Sequence, residues 1–107
     1  MKEYFLVLSK LGLRIRTNET YWRKIVTLKH PVMSGKKGLV VKTITNPDIV
    51  SRSERDSDVY LYYRKYKKYY ICVVVRHENG GGFIISTYPV DKVKKGEIVY
   101  EKNKNIS

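Results

Sequence analysis

Four side chains in the sequence are suited to acid–base chemistry on a phosphate ester: His30, Arg64, Ser86 and Tyr88. Histidine is the side chain that exchanges protons most readily near neutral pH, so His30 is the candidate acid or base. The forked guanidinium of Arg64 suits two parallel hydrogen bonds to a phosphate. Ser86 and Tyr88 are two residues apart on a predicted strand, so their hydroxyls share a face and can orient that phosphate. We expect the fold to gather His30, Arg64 and Ser86 in one cleft, with Tyr88 and Arg52 nearby.

Each of these residues also has a purely structural explanation. His30 precedes Pro31 at the end of a predicted helix, where it can complement the helix dipole. Arg64 can form a charge pair across neighbouring strands. Ser86 and Tyr88 can be an ordinary strand end, with the tyrosine covering the core. The sequence alone leaves these alternatives open.

A second set of residues is suited to contact with nucleic acid. Residues 60–70 contain six tyrosines and four basic residues. Interleaved aromatic rings and cations are typical of surfaces that bind single-stranded RNA, although tyrosine is also simply a good strand residue. The predicted RNA-binding residues are Tyr66, Lys67 and Lys68 in a turn, Arg52 and Ser53 before the sheet, and Lys92.

Three further residues of chemically active types are predicted to have structural roles. His77 lies beside the predicted turn at Asn79 and Gly80, so we expect it to be solvated. Trp22 lies at helical spacing with other apolar residues, which predicts a core position. Cys72 lies within an apolar run and is expected to be a buried small hydrophobe.

Charge gives the first positive indication of a partner. The 107 residues, enough for one domain, include 22 Lys and Arg against 10 Asp and Glu, a net charge of +12. This balance favours a polyanion, nucleic acid before an anionic membrane, although a generally lysine-rich composition gives the same excess.

Other function classes lack support in the sequence. It has no HExxH, Walker A, GxGxxG or paired-carboxylate motif, so we predict no metal and no small-molecule cofactor. One cysteine excludes an intramolecular disulfide and a multi-cysteine zinc site. With no long apolar run and no signal cleavage site, we expect a cytoplasmic protein that does not enter a membrane.

The pattern of elements predicts a single α+β domain. It begins with a hairpin over residues 4–8 and 13–16, followed by a helix that starts at Thr17 or Asn18 and must end before Pro31. A second short helix covers residues 39–44, and residues 48–53 are predicted to be a connecting segment. The runs 59–64, 69–76, 82–88 and 97–100 predict a four-stranded antiparallel sheet, against one face of which the helices pack.

Strict alternation along the third of these runs predicts which side chains share a face. It groups Phe83 and Ile85 with Thr87, and Ile84 with Ser86. The pattern does not indicate which of the two faces is the core.

Several motifs, in order, resemble a family of small standalone bacterial and archaeal proteins. The opening RIRTNETYW at residues 14–22 is similar to the family's RIRLT-x-E-x-W, and His30 with Pro31 matches its histidine–proline pair. The other matching segments are TITNPDIVSRS at 43–53, VYLYYR at 59–64, CVVV at 72–75 and GFIISTYPVDKVKKGE at 82–97. The chain departs from the family pattern at Lys24, Val32 and Val90.

The resemblance implies a fold and an activity. The family is similar to the nuclease superfamily that groups barnase, EndoU, colicin D-type and RelE-type ribonucleases (BECR), in which helices precede a twisted, mostly antiparallel four-stranded sheet that carries the active site. A metal-independent, toxin-like ribonuclease is therefore expected, attacking RNA through its 2′-hydroxyl and held by an antitoxin protein. The alternative is a non-catalytic basic module that binds RNA on the same fold.

Overall fold

The protein is described by a computed structural model over residues 3–102, which form an α+β fold as expected. Helix α1 (Glu19–Lys24) continues into a π-helical turn (Ile25–Lys29) and a 3-10 turn (Pro31–Met33), and α2 (Lys37–Thr45) follows. The strands within these residues are β1 (Glu3–Leu8), β2 (Arg14–Asn18), β3 (Ile49–Ser53), β4 (Val59–Tyr66), β5 (Tyr69–Glu78), β6 (Gly81–Val90) and β7 (Gly96–Glu101).

All of these strands belong to one seven-stranded sheet, in the order β1-β2-β6-β5-β4-β3-β7. Neighbours are antiparallel except β2 and β6, which are parallel. The expectation of four strands is therefore wrong. The N-terminal hairpin joins the sheet through β2, and residues 49–53 form β3 between β4 and β7 instead of a connecting segment. Only Ile49 and Val50 are apolar in β3, too short a run to predict a strand.

The helical segment that starts with α1 begins after the predicted cap and ends before Pro31, as predicted, but its last part is a π-helical turn. The Oδ1 of Asn18 accepts a hydrogen bond from the backbone N–H of Tyr21 at 2.7 Å, so Asn18 is the N-cap. The final turn is wide, because the N–H of His30 donates to the carbonyl of Ile25, five residues earlier, at 2.7 Å. Pro31 follows and prevents the helix from continuing.

The helices cover one face of the sheet, and the main core lies between them. Trp22 is 6% exposed and stacks on the ring of Tyr4, with centroids 5.9 Å apart, which confirms its predicted core position. Removing an apolar side chain of this size from water stabilises the fold by about 1.5–3 kcal/mol. The fully buried members of this core are Ile15, Ile25, Met33, Val40, Ile44, Val50, Tyr62, Ile71, Val73, Val75 and Ile84.

The other face carries a smaller cluster, made by Leu61, Tyr63 and Cys72. No helical residue of the described chain belongs to it; instead the segment between β6 and β7 approaches, with Val93 packed on the cluster. The backbone N–H of Lys94 donates to the hydroxyl of Tyr63 at 3.1 Å. Cys72 is buried, as expected. We call this side of the sheet the open face.

A bulge in β6 divides that strand into two parts. Val74 of β5 lies opposite Ser86, but the next residue, Val75, lies opposite Ile84. Ile85 is therefore an extra residue without a partner in β5, and side-chain alternation is interrupted there.

The bulge decides which side chains reach the open face. Phe83, Ser86 and Tyr88 all lie on it, whereas Ile84 and Thr87 point to the helix side, where both are buried. The strict alternation that groups Ile84 with Ser86, and Phe83 with Thr87, is therefore wrong. The grouping of Ser86 with Tyr88, which does not cross the bulge, is confirmed.

Candidate functional site

The open face holds a groove of about 510 Å3 between the sheet and two loops. The loop between β3 and β4 forms one side and the loop between β6 and β7 another. The floor comes from alternate residues of adjacent strands. The lining residues are Ser53, Glu54, Arg55, Val59, Leu61, Val74, Tyr88, Lys94 and Lys95. Three cations against one carboxylate favour an anionic ligand.

His30 reaches Tyr88, a lining residue of this groove, because the helical segment fills an edge of β6. Since β2 pairs with only the first three residues of β6, the later part of this edge has no strand of residues 3–102 beside it. The Tyr21 hydroxyl and the Lys29 ammonium donate there to the carbonyl of Ile85, at 2.9 and 3.2 Å. These bonds hold the end of the helical segment against the sheet, and His30 follows immediately. Its ring lies against that of Tyr88, with centroids 4.9 Å apart.

Tyr88 connects His30 to a cation. The Nζ of Lys94 donates to the Tyr88 hydroxyl at 3.1 Å and lies 5.2 Å from the centre of the ring. Burial raises the pKa of Tyr88, with a smaller contribution from the Cys72 thiol, while Lys94 opposes the shift. Tyr88 therefore stays protonated at neutral pH. Because its oxygen accepts from Lys94, the hydroxyl keeps its own proton as a donor for an acceptor.

Cys72 lies beneath this group but has no chemical role in it. Burial raises the pKa of its thiol to about 12, so the nucleophilic thiolate does not form near neutral pH. The pKa of Tyr63, in the neighbouring strand β4, is also raised, mainly by burial. Both residues support the Tyr88 ring from below.

Two more of the predicted site residues lie at or beside the groove. Ser53 lines it directly. Ser86 is half-buried on the same face and lies opposite Val74, which lines the groove. The structure thus brings His30, Ser86, Tyr88 and Ser53 to one side of the sheet.

Arg64 is not part of this group. Alternation along β4 puts it with Tyr62 on the helix side, not with Tyr63 on the open face. Its Nη1 donates to the carbonyl of Asn46, at the end of α2, at 2.6 Å. The expected gathering of His30, Arg64 and Ser86 in one cleft is therefore wrong for Arg64, which satisfies a terminal helix carbonyl instead.

Arg52 lies on the helix side as well, within a different cluster. Its Nε and Nη2 donate to the hydroxyl of Tyr60 at 3.0 and 2.7 Å. The Tyr60 ring stacks on His77, with centroids 3.9 Å apart, and Nε2 of His77 lies 3.1 Å from the Tyr62 hydroxyl. Burial, with a smaller effect of Arg52, lowers the pKa of His77 to about 4. The expectation that His77 is solvated is wrong, because stacking covers its ring.

The predicted RNA-binding turn lies away from the groove. Lys67 and Lys68 form the tight turn between β4 and β5, with Lys67 at a φ of 57°. Tyr66, just before them, packs on the helix-side core and lines a shallow hollow beside α2. These residues are exposed or half-exposed, but the fold separates them from Tyr88. Lys92 is exposed in the loop that also carries Lys94.

Three basic residues that line the groove are not among the residues predicted from the sequence: Arg55, Lys94 and Lys95. The lysines of the run KVKK at residues 92–95 are the available signal. No local pattern indicates that this loop folds over the sheet. That contact depends on the pairing of β7 with β3, which is distant in the chain.

Comparisons of the chain with protein-family models, with curated proteins and with solved structures found no match. No helix in residues 3–102 is long and apolar enough to cross a membrane. Residues 3–102 also contain no group of three or more His, Cys, Asp or Glu side chains arranged to hold a metal ion.

Proposed function

We propose that the protein is a metal-independent ribonuclease that cleaves RNA through attack by the 2′-hydroxyl. One observation carries the proposal: the His30 ring lies against Tyr88, whose hydroxyl accepts a hydrogen bond from Lys94, at the wall of a basic groove. A proton acceptor, a hydroxyl donor and a cation are thus adjacent, and these are the groups that this reaction requires.

Each group has a defined role in the proposed step. His30 takes the proton of the 2′-hydroxyl, whose oxygen attacks the phosphorus. Tyr88 donates a hydrogen bond to a non-bridging oxygen, and the Lys94 ammonium offsets the negative charge that develops there. The bond to the 5′-oxygen breaks, and that oxygen takes a proton from Lys94. The proton held by His30 then passes to water and water returns one to Lys94, so both groups regain their starting states. The products are a 2′,3′-cyclic phosphate and a 5′-hydroxyl.

The groove also supports substrate binding. Arg55 and Lys95 line it beside Lys94, and cations in such a position neutralise flanking phosphates. Ser53 offers a hydroxyl donor at the same edge. Ser86 lies one alternation step from Tyr88 on the same face, where it can orient the scissile phosphate.

The resemblance of the ordered motifs to BECR nucleases extends the proposal to a biological role. An RNA-cleaving toxin acts in the cytoplasm and requires an antitoxin protein, whose binding would cover the groove. The helices-before-sheet order and an open sheet face are compatible with that superfamily.

The test is cleavage of RNA by purified protein with EDTA present. His30→Ala is expected to lower the rate about a hundred- to ten-thousand-fold, the effect of removing one positioned acid–base group. His77→Gln is the matched control, because the other histidine lies on the helix side. Cleavage that survives His30→Ala, stops with EDTA or leaves 5′-phosphates would contradict the mechanism. Growth arrest on expression, cancelled by His30→Ala, tests the toxin role.

The second candidate is a non-catalytic module that binds RNA in the same groove. The bond from Arg64 to the carbonyl of Asn46 favours it, because the motif arginine is engaged in the fold and leaves no arginine beside His30 from that strand. Binding of RNA in the groove without any cleavage, unchanged by His30→Ala, would select this alternative.

A further inference from the structure

Away from the groove, the open face carries an aromatic ring between two arginines. Arg16 of β2 lies opposite Phe83 of β6, which lies opposite Arg76 of β5. Leu6 of β1 extends the same line, opposite Arg16. We call these four residues the Phe83 row. It crosses four adjacent strands on the open face.

Packing of the fold does not account for two members of this row, Arg16 and Leu6. Arg16 is exposed and takes part in none of the salt bridges found within residues 3–102. Leu6 is 49% exposed and Leu8, beside Arg14 on the same face, is 61% exposed. Apolar side chains left in water beside a cation that forms none of these salt bridges indicate a surface that meets a ligand with both apolar and anionic parts.

The neighbours of the row orient its members. Gly81 lies two residues before Phe83 on the open face, and a Cβ there would lie 4.0 Å from Nη1 of Arg16, so the guanidinium extends over the bare backbone of this glycine. Arg76 is held by Asp56, with Nη2 and Oδ2 2.8 Å apart. The ring of Tyr21 supports Phe83, with centroids 5.0 Å apart.

We propose that the Phe83 row is a nucleobase-stacking subsite for single-stranded RNA, separate from the groove that holds the reacting phosphate. A base stacks on the Phe83 ring and Arg16 binds an adjoining phosphate, the combination by which proteins hold single strands. A duplex does not fit this role, because its bases are paired and cannot reach the ring.

This inference rests on the proposed function, because it assigns a binding site for the single-stranded RNA that we propose is cleaved in the groove. Phe83 and Tyr88 are five positions apart along β6, a distance of about 15 Å at the usual rise of a strand. The subsite therefore holds a nucleotide that is not adjacent to the scissile bond. It predicts that a longer single strand is a better substrate than a dinucleotide.

The experiment compares a dinucleotide, a 12-nucleotide single strand and a duplex of the same sequence. Phe83→Leu keeps an apolar side chain but removes the ring, and Arg16→Ala removes the cation. Each is expected to weaken binding of the 12-mer, measured with His30→Ala in the background, about tenfold or more. Each should also raise KM for cleavage of the 12-mer while leaving dinucleotide cleavage unchanged. Arg23→Ala is the control, because this exposed arginine belongs to α1, in the helix layer.

The outcomes separate this inference from the proposed function. Unchanged affinity for the 12-mer in both variants, or equal binding of the duplex, overturns the subsite even if His30 is essential for cleavage. Weakened binding in both variants, with no cleavage by the unmodified protein, supports the subsite and overturns the nuclease. Thermal unfolding of each variant must match that of Arg23→Ala, and loss of affinity only in a variant that has unfolded counts against the subsite.

Discussion

The lowered pKa of His77 links a single side chain to the pH dependence of stability. Its pKa in the folded protein is about 4, below the usual 6.5, mainly because of burial. Between these values the unfolded chain binds a proton that the folded chain does not, so stability falls as pH decreases from about 6.5 towards 4. Allowing for partial exposure, the loss attributable to His77 is about 1–2 kcal/mol.

Urea unfolding of the protein and of His77→Gln at pH 7.5 and pH 4.5 measures this contribution. The glutamine retains a hydrogen-bonding group but does not titrate, so the drop in unfolding free energy should be smaller in the variant by that amount. Carboxylates such as Asp56, whose pKa is lowered by hydrogen bonds, contribute equally to both proteins and cancel. An identical pH dependence in the two proteins would show that His77 does not titrate in this way.

An arginine can bind a phosphate or donate to a backbone carbonyl, and the sequence does not distinguish these two roles for Arg64. Because its guanidinium donates to the carbonyl of Asn46, Arg64→Met should lower the free energy of unfolding by about 1 kcal/mol. The variant should retain the RNA-cleavage rate of the unmodified protein at a temperature where both are folded. A large loss of kcat with unchanged stability would instead show that Arg64 takes part in catalysis. Denaturant unfolding and kinetics on the same preparation distinguish the two results.

At the scale of elements, the parallel contact between β2 and β6 depends on Gly82. A Cβ at this position would lie 2.6 Å from Cδ1 of Ile15 and 2.9 Å from Cγ1 of Val75, both in the core. Gly82→Ala should therefore destabilise the protein by about 1–3 kcal/mol through overpacking. Gly38→Ala is the matched control, because nothing lies within 4 Å of its Cβ and it is in α2.

The control is expected to be neutral or stabilising by up to about 1 kcal/mol, as alanine favours a helix over glycine. Thermal or urea unfolding of both variants gives the comparison. If Gly82→Ala is as stable as Gly38→Ala, the hairpin is not packed against β6 as described.

Elements with local signals could be predicted, and those that depend on distant contacts could not. The cap at Asn18, the stop before Pro31 and the turn at Asn79 and Gly80 are each fixed by a few neighbouring residues, and all three are found. The bulge at Ile85 has no such signal, since FIIST reads as uninterrupted strand. One extra residue reverses the faces beyond it, so Tyr88 reaches the groove only because of a feature that alternation cannot predict.

At the scale of the whole molecule, pairing between distant strands decides which candidate residues meet. His30 and Tyr88 are brought together because β2 is too short to cover β6 and the helical segment fills the free edge. Lys94 joins them because β7 pairs with β3 and draws its loop over the sheet. Residue types in the sequence therefore predicted some members of the candidate site. Which of these residues lie together, and that Arg64 lies apart from them, follows only from the fold.

The net charge of +12 predicts how binding of RNA responds to salt. Each phosphate neutralised on a single strand releases counterions, so the logarithm of the association constant should fall linearly with the logarithm of salt concentration, by about 0.7 per contact. Lys95→Gln removes a cation from the groove and should reduce the slope by about that amount. Lys24→Gln, an exposed residue of α1, removes the same net charge and should leave the slope unchanged.

Titrations of the His30→Ala protein with a labelled 12-mer at several salt concentrations measure both slopes. Equal slopes in the two lysine variants would mean that the affinity for RNA depends on the total charge of the protein and that the RNA is not held in the groove.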